Sequence, residues 1–226
     1  MPRKKPKTKY RENKYLVQQL LDENIKTILE RINNCAPNVC LHCIYTAVYA
    51  SVIAEKMGYD DEMIQKITAG CLIHDLGKIS VIPAILNKQG ALTEEEFEIM
   101  RFHPEFGSIQ VVNKFGKVVN DIVLMHHEKI DGSGYPKHLS GEDIPEYVQI
   151  ATVADEFDAL TSDRCYKERL TPGEASAILR EEAKIGKLNP KIVDIIGDGW
   201  LHARERTVYE DLPETIQAEL EEINYQ

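Results

Sequence analysis

The sequence predicts an all-α fold. Apolar residues recur at helical spacing along most of the chain, no run alternates apolar and polar residues over the length of a strand, and prolines and capping side chains stand where helices start.

The elements follow in order. Residues 1–14 are polar and without periodicity, and read as a solvated basic tail; an electrostatic tether to RNA or to an anionic membrane is the alternative. From Tyr15 to about Asn33, Val17, Leu21, Ile25, Ile28, Leu29 and Ile32 share one helical face. Residues 15–37 are therefore an amphipathic N-terminal helix, docked on the body or on a second copy as a homodimer surface. A helix from Val39 to Met57 stops at Gly58-Tyr59-Asp60, and Asp61 caps the next, Glu62–Asp75. Gly77, Pro83 and Gly90 mark residues 76–92 as a long connection. Thr93 and Glu96 form a capping box opening a short helix that ends before His103-Pro104. Helices are expected over 104–113, 117–127 and 146–161, with a loop from Glu128 to Pro145. Thr171-Pro172 and Asn189-Pro190 start two more, and Leu212 to Asn224 forms the last.

The composition, 43% hydrophobic and 28% charged, is that of a globular chain with one main domain, 38–226. Net charge is −10, yet residues 1–14 hold seven basic side chains against Glu12 alone. The body is too acidic for a duplex nucleic-acid binder, whose affinity rests on Lys and Arg against phosphate. Five cysteines, four of them in or near apolar runs, suggest reduced thiols; Cys40-x-x-Cys43 has no second pair to complete a zinc site. No stretch reaches the ~18–20 apolar residues of a membrane span and no signal peptide is seen, so a cytoplasmic location is expected.

Five of the seven histidines, His42, His74, His103, His126 and His127, are candidates for one site. Asp75 follows His74, and Asp155 lies in the apolar helix VADEFDAL, where an unpaired carboxylate is costly unless a cation satisfies it. Neighbours on a helix diverge by roughly 100°, so His74-Asp75 and His126-His127 suit two ions, with Asp75 bridging. Imidazoles and carboxylates without thiolate favour iron, manganese or a similar octahedral ion. A metal pair about 3.5–4 Å apart can generate a bridging hydroxide at neutral pH and drive in-line displacement at phosphorus, which points to phosphoester hydrolysis. Lys78, beyond His74, is placed to neutralise a substrate phosphate. Glu128 and Asp131 read as acceptors that organise their loop, and His138 and His202 as surface residues.

His74-Asp75-Leu76-Gly77-Lys78 resembles the HD motif of the HD-domain phosphohydrolases. The stretch HHEKIDGSGYP, 126–136, resembles the signature of the HD-GYP subfamily, which hydrolyses cyclic di-GMP. The resemblance covers roughly 38–200, taking in His103-Pro104-Glu105, 153–164 and Tyr166-Lys167. It implies an HD-domain helical bundle with additional C-terminal helices and a metal-dependent phosphodiesterase opening cyclic di-GMP to linear pGpG, with pGpG or GMP as the end product, in second-messenger signalling. It further implies that His42, His74, Asp75 and Asp155 hold one ion and Asp75, His103, His126 and His127 the other, with Asp75 and Lys78 catalytic. Lys78, Tyr135, Arg164 and Lys167 match the subfamily's contacts to the dinucleotide, and Asp158 a second-sphere or metal-water partner. The GYP loop also offers a docking surface for a signalling partner.

Two departures bear on this. Members that bind three ions carry a Glu where this chain has Asn38, so two ions are expected; and His42-Cys43-Ile44-Tyr45 replaces a His-Ser-x-Arg start, removing a salt bridge. Two alternatives stay open: the same chemistry on another cyclic dinucleotide or nucleotide, and a non-catalytic cyclic dinucleotide receptor or protein-interaction module.

Overall fold

In the computed structural model, residues 23–162 and 169–197 are described. They form α1 (Glu23–Cys35), α2 (Pro37–Lys56), α3 (Asp61–Leu72), α4 (Pro83–Leu86), α5 (Glu94–Met100), α6 (His103–Val111), α7 (Gly116–Met125), α8 (Glu146–Thr161), α9 (Pro172–Lys184) and α10 (Pro190–Gly197). Short 3₁₀ turns lie at Leu76–Ser80 and Gly141–Asp143. Among the described residues the only β-type pairing is one isolated bridge, Asp131 to Ser140, so the all-α expectation holds. Arg164, Lys167, His202, residues 1–14 and the expected helix 212–224 lie outside the described residues.

α2 is the central element. Pro37 at its first turn sets φ without sacrificing a hydrogen bond, since that N–H lacks a partner anyway. Thirteen of its residues are buried, which explains why its sequence shows so little one-sided amphipathicity. It packs on α3 and α8, α3 packs on α7, and α9 and α10 pair behind α8. α2 is long and apolar enough, by length and composition, to cross a membrane, contrary to the expectation from sequence; 67% of its most apolar window is buried inside this fold, as a core helix requires.

The apolar face of α1 is buried in the same chain: Leu29 and Ile32 are inaccessible, and Ile25 and Ile28 nearly so. Each such side chain contributes about 1.5–3 kcal/mol relative to exposure. Of the two docking options for this helix, its described part takes the body.

Several boundaries shift, each for a local reason. Asp60, one position earlier than expected, caps α3 by accepting from Met63 N–H at 2.8 Å. α3 then stops at Leu72, so His74 and Asp75 stand in a turn and not on a helix. The connection 76–92 contains the 3₁₀ turn and the single turn α4. The capping boxes of Thr93 with Glu96 and of Thr171 with Glu174 form, each with the hydroxyl accepting from the backbone and the carboxylate answering it. Cys40, Cys43 and Cys71 are buried and Cys35 exposed, and none of these four forms a disulfide among the described residues.

The 3₁₀ turn lies against α6, and Gly77 makes that contact: a methyl group there would run into the His103 carbonyl and stand 2.6 Å from Gly107 N. This backbone-to-backbone approach brings His103 to Asp75.

Candidate metal centre

His42 lies within α2; His74, His103, His126 and His127 stand at or just beyond helix ends, and three of these are oriented by the carbonyls of the closing turns. The last carbonyls of a helix lack intrahelical donors. His74 Nδ1–H donates to Cys71 O near the end of α3 (2.7 Å), and His103 Nδ1–H to Met100 O, the last residue of α5 (2.9 Å). His126, at the end of α7, donates from Nδ1 to Ile122 O and Val123 O, both at 3.1 Å. A carbonyl only accepts, so Nδ1 carries a proton in all three; His103 and His126, both held below the ordinary range by burial, are neutral and present an Nε2 lone pair inward, and His74 does so once its extra proton leaves. A ligating histidine held in one tautomer by a hydrogen bond behind it has this arrangement.

Two carboxylates stand at the focus. Asp75 is inaccessible and Asp155 6% exposed. His103 Nε2 lies 3.1 Å from Asp75 Oδ1, while His42 and His74 Nε2 are 3.8 and 3.5 Å from Asp75 Oδ2. His42 spans Asp155, at 2.8 Å from Nε2, and Asp158, at 2.7 Å from Nδ1. His127 Nδ1 is 3.7 Å from Asp155 Oδ2. His103 and His126 point Nε2 atoms at each other across 3.2 Å. Donor atoms within 4.8 Å of one another form three groups: Asp75, His103, His126 and His127; His42, His74 and Asp75; and His74, His126 and Asp155.

The electrostatics divide these groups. Burial pushes His42 down, but hydrogen bonds to Asp155 and Asp158 outweigh it and raise the imidazole to about 9. His74 is likewise pushed down by burial and raised overall to about 9, chiefly by Asp75. His126 falls to about 3, through burial and then the charge of His74; His127 falls well below the ordinary range through burial and His126. Burial alone would raise Asp75, yet Lys78 and His74 hold it far down; Asp155 is held down in the same way by His42.

A divalent cation fits these residues. His74 Nε2 and Asp75 Oδ1 are buried without a hydrogen-bond partner, two ligating atoms aimed into the centre that a bound cation would satisfy. The donors are imidazole nitrogen and carboxylate oxygen, a set that binds divalent metal ions.

All seven sequence-predicted ligand positions converge, but not as expected in detail. His74-Asp75 and His126-His127 are splayed by non-helical turns, because α3 and α7 end before them, and not by the angular step of a helix. Lys78 turns back onto Asp75 Oδ2 at 2.6 Å instead of lying open, since the 3₁₀ turn brings its stem round. Asp158 is fully buried behind His42 and also accepts from Ser162 Oγ at 2.9 Å. Asn38 is exposed.

The loop after His127 is closed on itself. Glu128, 2% exposed, accepts from Lys137 N–H (2.6 Å) and Leu139 N–H (3.0 Å); Asp131 accepts from Ser133 N–H and Oγ–H. Gly134 is buried 2.5 Å, at its missing Cβ, from Glu128 Cα, so a side chain does not fit there. Tyr135 N–H donates to His127 O at 3.2 Å, and its ring stacks on the His127 ring at 4.7 Å between centres. Burial, then Asp155 and Asp75, pushes the phenol up. Arg101, which sequence reasoning passed over, lies over the same ring at 4.8 Å. Its one sequence signal is a cation two residues before His103. His138 is exposed, as expected, in the left-handed region at φ 53°.

A family model described as the HD domain matches residues 16–192. The chain is 42% identical over 151 residues to the cyclic di-GMP phosphodiesterase response regulator RpfG of Xanthomonas campestris pv. campestris, covering 65% of this chain and 39% of that protein. It is 35% identical over 166 residues to 3′3′-cGAMP-specific phosphodiesterase 2 of Vibrio cholerae, covering 70% of this chain and 31% of that protein. The chain thus spans less than half the length of these curated relatives. An HDG"Y"P protein from Bdellovibrio bacteriovorus has the same fold, with TM-score 0.60 at 23% identity, over 71% of this chain and 51% of that one.

Proposed function

The chain belongs to the HD domain family, and from that premise we propose that it is a metal-dependent phosphodiesterase that opens cyclic di-GMP to linear pGpG, with pGpG or GMP as the end product. The observation that carries this reading is the convergence of three tautomer-locked histidines, two further imidazoles and two buried carboxylates on one small volume.

His42, His74, Asp75 and Asp155 would hold one divalent ion and Asp75, His103, His126 and His127 a second, with Asp75 shared; iron or manganese suits the donor set. Bound there, such ions supply an activated water and charge neutralisation for displacement at phosphorus. The protein's own groups do the rest. The backbone carbonyls behind the rings keep each Nε2 aimed inward, and Asp158 orients His42. Lys78, on Asp75, offers its ammonium to the charge that develops on the phosphoryl oxygens. The stacked Tyr135 walls the side of the centre next to His127 and presents its hydroxyl to the ligand. Arg164 and Lys167 are proposed as further dinucleotide contacts by resemblance. Two ions are favoured over three because Asn38 is exposed and brings no carboxylate.

The test is elemental analysis of purified protein alongside turnover of cyclic di-GMP after loading with iron or with manganese. Protein that retains both ions and releases neither pGpG nor GMP overturns the proposal. The cGAMP-specific relatives favour a second reading, another cyclic dinucleotide as substrate, and a panel with 3′3′-cGAMP and cyclic di-AMP separates the two. A receptor needs no complete ligand set, so turnover lost in Asp75→Asn distinguishes enzyme from binding module.

A further inference from the structure

Arg101 caps the end of α5, two residues ahead of His103, with its guanidinium carbon 4.8 Å from the centre of the Tyr135 ring. That ring stacks on His127 at 27°, and His127 faces Asp155. Guanidinium, phenol and imidazole thus form one wall running from the rim inward to the carboxylates. The contact with Tyr135 restrains the guanidinium plane, so less freedom is lost when it engages a ligand.

Among the described residues, two nearby cations are already paired. Lys78 is on Asp75, and Lys129 forms an ion pair with Glu156. Arg101 differs in that its partner is Glu98, at 2.9 Å, itself 58% exposed and on the same helix. Pairs of this kind contribute little and exchange readily for a better anion, and the guanidinium carries five N–H donors.

We infer that Arg101 binds the phosphate of the cyclic dinucleotide that is not being cleaved, and so selects ligands with two phosphates. The inference rests on the phosphodiesterase reading above. With Tyr135 stacked between it and His127, the guanidinium is held off the reacting phosphorus but at the edge of the same site. Its planar fork matches two phosphate oxygens. In a chain of net charge −10, a dianionic ligand needs a cation focused at the entrance.

The test compares cyclic di-GMP with the dinucleoside monophosphate GpG, which keeps both guanines and one phosphodiester but lacks the second phosphate. In metal-loaded Arg101→Ala, KM for cyclic di-GMP should rise about 10–100-fold with kcat nearly unchanged. Affinity for GpG, read as KM if it is cleaved or as an inhibition constant if it is not, should change less than about threefold. Arg101→Lys, which keeps the charge without the fork, should fall between. Equal losses on both ligands would assign Arg101 to a guanine edge and overturn the inference; so would no loss on either. A variant that no longer retains its ions also overturns it, since Arg101 would then support His103. Should the wild type cleave bis(p-nitrophenyl) phosphate yet neither bind nor cleave any cyclic dinucleotide, the substrate class falls and takes this inference with it.

Discussion

Replacing Asp158 by Asn removes a charge while keeping an acceptor within reach of His42. Asp158 Oδ2 lies 2.7 Å from His42 Nδ1, is fully buried, and is one of two carboxylates that lift the imidazole to about 9. Two effects of opposite sign follow. Losing the carboxylate behind a ligating histidine weakens metal binding by about 10–100-fold, or about 1.4–2.8 kcal/mol. It also lowers the pKa of His42, which lies above its ordinary 6.5 in the metal-free fold. The proton there is bound below about pH 9 and must leave before the ring can ligate, so wild-type affinity falls as pH drops below that value. In Asp158→Asn this competition sets in at lower pH. The expected result is a full loss of affinity above pH 9 and a smaller one near pH 7, measured by chelator competition for manganese across that range. An affinity deficit independent of pH would refute the assignment of the proton to His42, and no deficit would refute the role of Asp158 behind it.

The remaining predictions are narrower. Lys78→Met should reduce kcat about 10²–10³-fold with both ions retained, in single-turnover assays on cyclic di-GMP; unchanged kcat would remove Lys78 from charge stabilisation. Gly77→Ala forces a methyl into the His103 backbone and should destabilise the fold by about 1–3 kcal/mol and lower metal content, read by urea denaturation and elemental analysis. Glu128→Ala strips two backbone N–H groups of a charged acceptor, about 1.5–3 kcal/mol for each such bond, and should expose the 128–139 loop to protease while residues 37–56 stay protected.

The metal-ligand positions were legible because of what burial costs: a carboxylate in apolar company beside paired imidazoles needs a cation to hold it there, and the HD and GYP stretches added their spacing. Their three-dimensional relation was less so. Helical periodicity carried the expected α3 through Asp75, whereas the chain breaks at Leu72, and with it the inference of why His74 and Asp75 diverge. Lys78 onto Asp75 and Arg101 onto Tyr135 are contacts made by turns and by elements far apart in sequence, which periodicity does not encode. The role of Glu128 was readable from its place in a glycine-rich loop; the two N–H groups it serves, nine and eleven residues on, were not.

The carbonyls behind His74, His103 and His126 belong to the closing turns of α3, α5 and α7. Those turns are ordinarily the first part of a helix to fray, and here each is tethered through an imidazole to a common centre. Ligand occupancy and local opening are therefore thermodynamically linked: an ion at a hundredfold excess over its Kd adds about 2.7 kcal/mol against any opening that releases it. Amide hydrogen exchange should register this as slowed, concerted exchange at the three helix ends on metal loading, while the end of α9, which has no such tether among the described residues, keeps its metal-free rate.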